Sequence, residues 1–331
     1  MEVTINKQKL VITDAERALL RATASNDAVG IEHRVALAQS LSAAWKAGVL
    51  EPDTLAGIFT RVALEVGANA KFPLDFYGPA KQDQYRAVTM PKEGAIPNQV
   101  IEGDELIVPT YKITNSIGWA LDYARDSRWD IIARAMEVFT NGFVQKVNRD
   151  GWHVLLACAK SNSVISDSAA TAGAFTKKLL IDMQVAIKRL TGGRNSKLTD
   201  LYLSPEALGD IRDFSTTVVD DVTLRTLLFA GVDSVPSFFG VRLNELEELG
   251  VSQEYQTYLT STLKASMAAS DTEFCVGLDL QNRDSFVMPV REDMSMFDDP
   301  TLHRSAQAGV YGWMELGFAA LDTRRALLGS M

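Results

Sequence analysis

Apolar residues recur along this chain in more than one rhythm, and the longest stretch of one rhythm is helical. Between Trp129 and Lys160, the residues Ile132, Met136, Phe139, Phe143, Val147, Leu155 and Ala159 return at threes and fours or their multiples. That is the apolar stripe of a 3.6-residue period. Arg134, Glu137, Asn141, Gln145, Lys146, Asn148 and Arg149 fill the other face. Asp126, Ser127 and Asp130 place cap-type and acidic residues near the start, where the helix dipole favours them. The spacing predicts one helix over Trp129–Lys160, roughly 45–50 Å long at 1.5 Å per residue. Asn141-Gly142 and Asp150-Gly151 are its weak points, because a Gly costs about 1 kcal/mol relative to Ala in a helix interior. The competing reading is two shorter helices with a break near Gly151, where the stripe is less regular.

Shorter helical patterns flank this one. The first ~65 residues read as helical. A capping box at Thr13-Asp14-Ala15-Glu16 opens the first helix, a second spans Ile31 to Ala47, and a third follows Glu51-Pro52-Asp53. The third carries Leu55, Ile58, Phe59, Val62 and Leu64 and stops at Gly67. Further on, Phe175, Leu179, Met183, Ile187 and Leu190 define a helix over Ala174–Leu190, closed by Gly192-Gly193. Asp200–Leu203 reads as a short buried strand, and Ser204-Pro205 then starts a helix with Ser as N-cap and Pro at N1. Strands are expected at Phe238–Leu243, Glu273–Leu280 and Ser285–Arg291. Ala306–Leu328 mixes Gly with aromatics and reads as strand until the final Arg324-Arg325-Ala-Leu-Leu-Gly. Helix, buried strand, helix is the mark of a small α/β layer, and the whole reads as α+β.

Between about Ala68 and Ser127 the rhythm is broken by Phe72-Pro73, Gly78-Pro79, Met90-Pro91, Ile96-Pro97 and Val108-Pro109. Tyr85–Met90 and Glu105–Thr114 still have strand-like content, and Pro109 demotes the second to an edge strand. The prediction is a long two-stranded hairpin with a polar tip at Lys92, Glu93 and Gly94. An isolated hairpin is marginal in water, so one this long needs another surface to lie on. The plain alternative is an irregular surface loop.

Composition narrows the class. The 331 residues are 47% hydrophobic, enough for a sizeable core in two or three domains or one elaborated domain. Mean hydropathy is close to zero, and no run approaches the ~20 apolar residues of a membrane span. Met1 to Leu10 alternates polar and apolar and lacks a signal-peptide core, so the expectation is a chain made and kept in the cytosol. Cys158 and Cys275 read as small buried hydrophobes rather than a disulfide. A net charge of −9 argues against dedicated nucleic-acid binding by a basic face, and favours solubility at high local concentration.

Catalytic patterns are sparse. His33, His153 and His303 are scattered, with no zinc-type spacing. Thr191-Gly192-Gly193-Arg194 lacks the Lys and the spacing of a phosphate loop. Ser261-Thr262-Leu263-Lys264 matches S-x-x-K without its companion motifs. As a hydrolase pair it requires a buried, low-pKa Lys264 in a cleft. Asp220-Asp221, Glu247-Glu248 and Asp298-Asp299 read as solvated turns, and Arg324-Arg325 as a local interface or salt-bridging pair. Trp129, Tyr311, Trp313 and Phe318 read as core packing, with some as anchors at subunit contacts. No metal or cofactor site is expected.

The order of these elements resembles the major capsid proteins of tailed bacteriophages, with the Hong Kong 97-type fold. The stretches that carry it are Tyr85–Lys112, Trp129–Lys160, Asp200-Leu-Tyr-Leu-Ser-Pro-Glu-Ala-Leu208 and Gly309-Val-Tyr-Gly-Trp-Met-Glu-Leu-Gly-Phe-Ala-Ala-Leu321. The resemblance spans roughly residues 70–331. It implies an extended hairpin, the E-loop, over 69–128, and a peripheral domain with a spine helix over 129–165 and 281–331. An axial domain takes 166–280, and residues 1–68 are an N-terminal helical arm or a scaffold-like segment. It implies no enzymatic activity and no cofactor. The chain would self-assemble through hexamers and pentamers into an icosahedral shell around double-stranded DNA, built in the host cytoplasm and carried in the virion.

Scaffolding, portal and decoration proteins are the implied partners, with non-specific proximity to DNA and no membrane. Lys92, Glu93, Tyr111, Arg324 and Arg325 are the candidate contact residues between subunits. Some family members cross-link neighbours through a Lys and an Asn, and Lys92 at the hairpin tip is the position that would correspond. An encapsulin-like nanocompartment is the nearest alternative, and a hydrolase using Ser261 and Lys264 the distant one.

Overall fold

The computed structural model describes residues 2–5, 8–11, 54–55, 57–65, 67–74, 89, 105–125, 129–167, 173–190, 196–214, 237–267, 271–281 and 283–331. The helices expected within 13–47, His33, the hairpin tip Lys92-Glu93-Gly94 and the Gly192-Gly193 stop lie outside these residues. So does the strand expected over 85–90, Thr89 apart.

The chain opens on strands, not on the helix-only segment that its pattern predicts. Strands β1 (Glu2–Ile5) and β2 (Gln8–Val11) form an antiparallel hairpin. The third expected helix is also a correction. Leu55 and Ile58 are buried, but Thr60–Ala63 is strand β3, which alternates between half-buried and exposed residues. Strand pairing outweighs a weak helical periodicity there. Strands β4 (Lys71–Pro73) and β5 (Glu105–Ile107) pair antiparallel as a sheet of their own. Pro109 separates β5 from β6 (Tyr111–Ala120), so the strand expected over 105–114 is two strands.

Helix α1 (Leu121–Arg125) leads into α2 (Trp129–Ser161), one unbroken helix of 33 residues. Among the described residues its buried hydrophobic side chains are Met136, Phe139, Phe143, Val144, Trp152, Leu155, Leu156, Cys158 and Ala159, which follow and widen the stripe read from sequence. The two glycines are places of close approach and not breaks. A Cβ on Gly151 would sit 2.3 Å from Leu55 Cδ1, and one on Gly142 would sit 2.9 Å from Asn115 Nδ2.

After α2 come β7 (Ile165–Ser166), α3 (Lys177–Leu190), β8 (Asp200–Leu203) and α4 (Pro205–Arg212). The Ser204 side chain accepts from the Ala207 amide, with Pro205 in the first turn, as the sequence predicts. Then follow β9 (Ser237–Phe238), β10 (Val241–Glu245), the short α5 (Glu254–Thr257) and β11 (Phe274–Leu278). The chain closes with β12 (Phe286–Asp298), β13 (Gln307–Leu316), β14 (Ala319–Ala320) and β15 (Ala326–Ser330).

These strands form two large sheets. One runs β14-β12-β13-β6, with β3 parallel to β12. The other runs β7-β15-β11-β8-β10-β9. The strands of 281–331 are divided between them, because β15 pairs with β11 and β7 in the six-stranded sheet.

The long helix packs on both sheets. One core joins Phe139, Phe143, Trp152 and Leu155 of α2 to Ile113, Met296 and Val310 of the first sheet and to Tyr202, Val276 and Leu328 of the second. A second core lies on the other face of the six-stranded sheet. It joins Leu179, Met183 and Ile187 of α3 and Leu208 of α4 to Leu201, Leu203, Cys275 and Leu327. The period-2 alternation of a strand explains the division, since Tyr202 points one way and Leu201 and Leu203 the other. Strands buried on both faces become continuous apolar runs, which is why β11 and β15 show no polar side.

Candidate functional site

The open faces and edges of the two sheets are the surfaces that a partner could use. The β4–β5 pair, which joins 105–107 to 71–73 and not to the strand expected over 85–90, carries an exposed ion pair, Lys71 to Glu105 at 2.9 Å. It is tied to the five-stranded sheet where Arg291 Nη2 donates to the Ala68 carbonyl at 3.2 Å and Leu64 N donates to Val290 O at 2.8 Å. Ile107 of β5 is 58% exposed.

Tyr111, at the start of β6, donates its hydroxyl to Asp150 Oδ2 at 2.9 Å, and Lys146 Nζ holds Asp150 Oδ1 at 2.7 Å. Burial and the Asp150 carboxylate together push the Tyr111 phenol well above its usual range. Tyr111 therefore pins β6 to the middle of α2 while keeping part of its ring in solvent.

Arg324 and Arg325 are spent inside the chain. Arg324 forks onto Asp322 at 2.8 and 3.0 Å, and Arg325 Nη1 pairs with Asp279. Asp279 is fully buried and Asp322 nearly so. Asn162, just past α2, donates to the Thr323 and Ala326 carbonyls at 2.7 and 2.8 Å. The cluster fixes the end of the long helix to the turn that feeds β15.

The aromatics divide. Phe318 is buried and packs edge-on against Phe59 at 5.1 Å. Tyr311 and Trp313 do not enter the core. Gly312 between them faces Phe139 of the helix, so alternation turns its neighbours to the opposite, open face of the sheet. There Phe297 stacks on Trp313 at 4.5 Å and on Tyr311 at 5.5 Å, with Lys112 Nζ 5.7 Å from the Trp313 ring. The expectation of core packing fails for these two rings. The signal it missed is the Gly at 312, which marks the residue between them as the one under the helix.

Little of the chemistry is arranged for catalysis. Ser261 and Lys264 are both exposed, and the Ser261 hydroxyl donates back to the Thr257 carbonyl of its own turn. The buried lysine that a Ser/Lys hydrolase requires is not formed. His153 stacks on Tyr258 at 3.9 Å, and burial and Arg149 lower its pKa. Both cysteines are free and buried, with burial pushing each thiol up to about 12. Among the described residues no group of three or more metal-ligating side chains forms a site, and no helix is long and apolar enough to cross a membrane.

One buried acid has a measurable consequence. Glu273 is 4% exposed and accepts from the Ser204 hydroxyl that caps α4. Burial raises its carboxyl pKa, Ser204 opposes the shift, and Glu206 and Asp210 add to it. The folded chain therefore holds a proton that the unfolded chain releases above about pH 4.5. This contribution to stability is present at low pH and lost as pH rises through the folded pKa. Glu273→Gln is expected to flatten the fall in melting temperature over that window. An unchanged slope in scanning calorimetry would assign the fall to other groups.

No protein-family model matches the sequence, and no curated protein matches it. Solved structures do. The capsid of an empty GTA particle superposes with a TM-score of 0.53 at 13% identity, over 86% of this chain and 91% of that one. The mature capsid of bacteriophage PhiM1 gives 0.51 at 13%, over 83% and 85%. The chain has the phage capsid fold. An encapsulin complex from Synechococcus elongatus PCC 7942 shares that fold, with a TM-score of 0.50 at 10% identity over 85% of this chain and 88% of that one.

Proposed function

We propose that this chain is the major capsid protein of a tailed phage or phage-like particle. On this reading it assembles through hexamers and pentamers into an icosahedral shell around double-stranded DNA. The observation that carries it is the capsid fold itself, shared over more than four-fifths of the chain with particle-forming proteins. A single long helix that packs on both sheets makes a subunit stiff enough to pass orientation from one contact to the next.

We assign the five-stranded sheet with α2 to the peripheral domain and the six-stranded sheet to the axial domain, which moves residues 326–330 to the latter. Because β3 and β6 belong to the five-stranded sheet, the E-loop narrows to 69–110, stemming from β4–β5, and the segment ahead of Leu55 is an N-terminal arm or a scaffold-like segment. The E-loop would lie on a neighbouring subunit, with Lys92 and Glu93 in that contact. Arg324 and Arg325 act within the subunit, and Tyr111 contributes its exposed edge. Scaffolding, portal and decoration proteins complete the particle, assembled in the host cytoplasm. A net charge of −9 leaves packaged DNA lightly held, without a dedicated basic face.

The encapsulin likeness supports a second reading, a compartment loaded with protein cargo. Negative-stain electron microscopy of purified protein, with mass spectrometry of the same sample, separates the readings. Shells, tubes or six-membered rings are expected, with DNA as content when the neighbouring genes are co-expressed. Shells holding a protein cargo would favour the compartment. A uniform monomer or dimer under all these conditions would end both.

A further inference from the structure

The described residues contain nine exposed large hydrophobics; Ile181 and Val185 lie on α3, and Phe239 lies on the β9–β10 turn that is hydrogen-bonded to α3. Phe239 is 50% exposed at the tip of the β9–β10 hairpin. The hairpin turns through two residues, Phe239 and Gly240, with φ of 50° and 74°. That is the primed turn whose first position favours Asn or Asp and penalises a bulky side chain. The turn gains nothing from a phenylalanine. Its ring meets the buried Phe238 edge-on at 4.4 Å, yet half of it stays in water at a strained backbone position, which points to a role at the surface.

The ring's surroundings define that surface. Lys177 Nζ lies 5.0 Å from its centroid, and Gln184 Nε2 donates to the Phe239 carbonyl at 3.3 Å. Ile181, Val185 and Lys188 follow Lys177 on the same face of α3, at helical spacing. Lys188 and Lys197 join Phe239 around a cavity of about 490 Å³. The result is an apolar patch ringed by three lysines, on a chain whose net charge is −9.

A surface of opposite character lies elsewhere on the same chain. Glu245, Glu247, Glu248 and Glu254 line a groove of about 840 Å³ beside α2 together with Lys146 and with Arg149, which pairs with Glu254, so that acidic groups are in excess there. In the loop between Glu248 and Glu254, Val251 is 51% exposed. Apolar meets apolar and lysine meets glutamate only if two copies bring unlike surfaces together. Such a contact is heterologous, the kind that closes rings.

Resting on the shell-forming reading, we infer that the Phe239 patch of one copy docks on the acidic Val251 ridge of the next and sets the lateral contact within a capsomer. The pairing is specific because a like pairing would oppose lysine to lysine or glutamate to glutamate. Salt weakens it, since the charges sit at an exposed rim.

The test compares assembly of the full chain with its variants by light scattering and electron microscopy. Phe239→Asn suits the turn, so its melting temperature should match or exceed that of the natural chain. Loss of the central anchor should nevertheless raise the concentration needed for assembly roughly tenfold or more. Lys197→Glu should also impair assembly, and Glu247→Lys in the same chain should restore it. If Phe239→Asn assembles like the natural chain, the inference is overturned while the shell reading stands. A Lys197→Glu defect that Glu247→Lys leaves unchanged would overturn the pairing with the ridge. A natural chain that never assembles would instead remove the shell reading beneath it.

Discussion

Trp152→Ala is expected to cost about 3–5 kcal/mol of subunit stability, the range for truncating a fully buried tryptophan. Trp152 has no exposed surface. Its ring meets Tyr202 of β8 edge-on at 4.8 Å and Tyr255 of α5 at 6.0 Å, and its Nε1 donates to Thr54 Oγ1 at 2.9 Å. One side chain of the long helix thus touches the six-stranded sheet, α5 and the segment that leads into β3. Truncation removes the transfer energy of the ring, leaves a cavity among rigid aromatics, and deprives Thr54 of its partner. The surroundings resist collapse, because Leu55 is already pressed against Gly151 one residue away on the helix. Urea denaturation of the unassembled subunit measures the loss, since assembly would add its own linkage to the apparent stability. A loss under about 1 kcal/mol would mean that the site refills, and that the helix is held to the sheet elsewhere.

How much of this was legible in the sequence depends on where each element finds its partner. The long helix was, because its stripe is local and contains its own period. So were Asp200–Leu203 and the Ser204-Pro205 start of α4, where cap chemistry acts within four residues. Strand β3 was not. Thr60–Ala63 becomes a strand by pairing with Val287–Val290 of β12, and no local pattern carries that information. The closing Ala-Leu-Leu-Gly run is ambiguous for a related reason. Buried on both faces of the sheet, it has no alternation to distinguish it from a helix segment.

The candidate contact residues show the same limit. Arg324 and Arg325 read as a local interface or a salt-bridging pair, and only the fold shows that Asp279 and Asp322 enclose them. Phe239 looks like one more apolar residue of a strand until its positive φ exposes it. Surface chemistry of this kind is decided by which side chains the fold leaves over.

The enclosed arginine is where a single charge should matter most. Asp279→Ala is expected to destabilise the subunit by about 3–5 kcal/mol, the cost of leaving a buried charge without its partner. Asp279 has no exposed surface and Arg325 little, and Asp279 also accepts from the Gln281 amide at 3.1 Å and the Lys197 amide at 3.4 Å. Removing the carboxylate therefore orphans a guanidinium and two amides together. Asp322 relieves Arg325 only in part, at 3.5 Å and with its oxygens already forked by Arg324. Pairing Asp279→Ala with Arg325→Met removes the stranded charge, so the double variant should lose less than the sum of the two single losses. A double-mutant cycle by urea denaturation gives the coupling directly. Simple additivity would show that water or a local shift already satisfies Arg325, so that the buried pair is not what holds the junction between the long helix and β15.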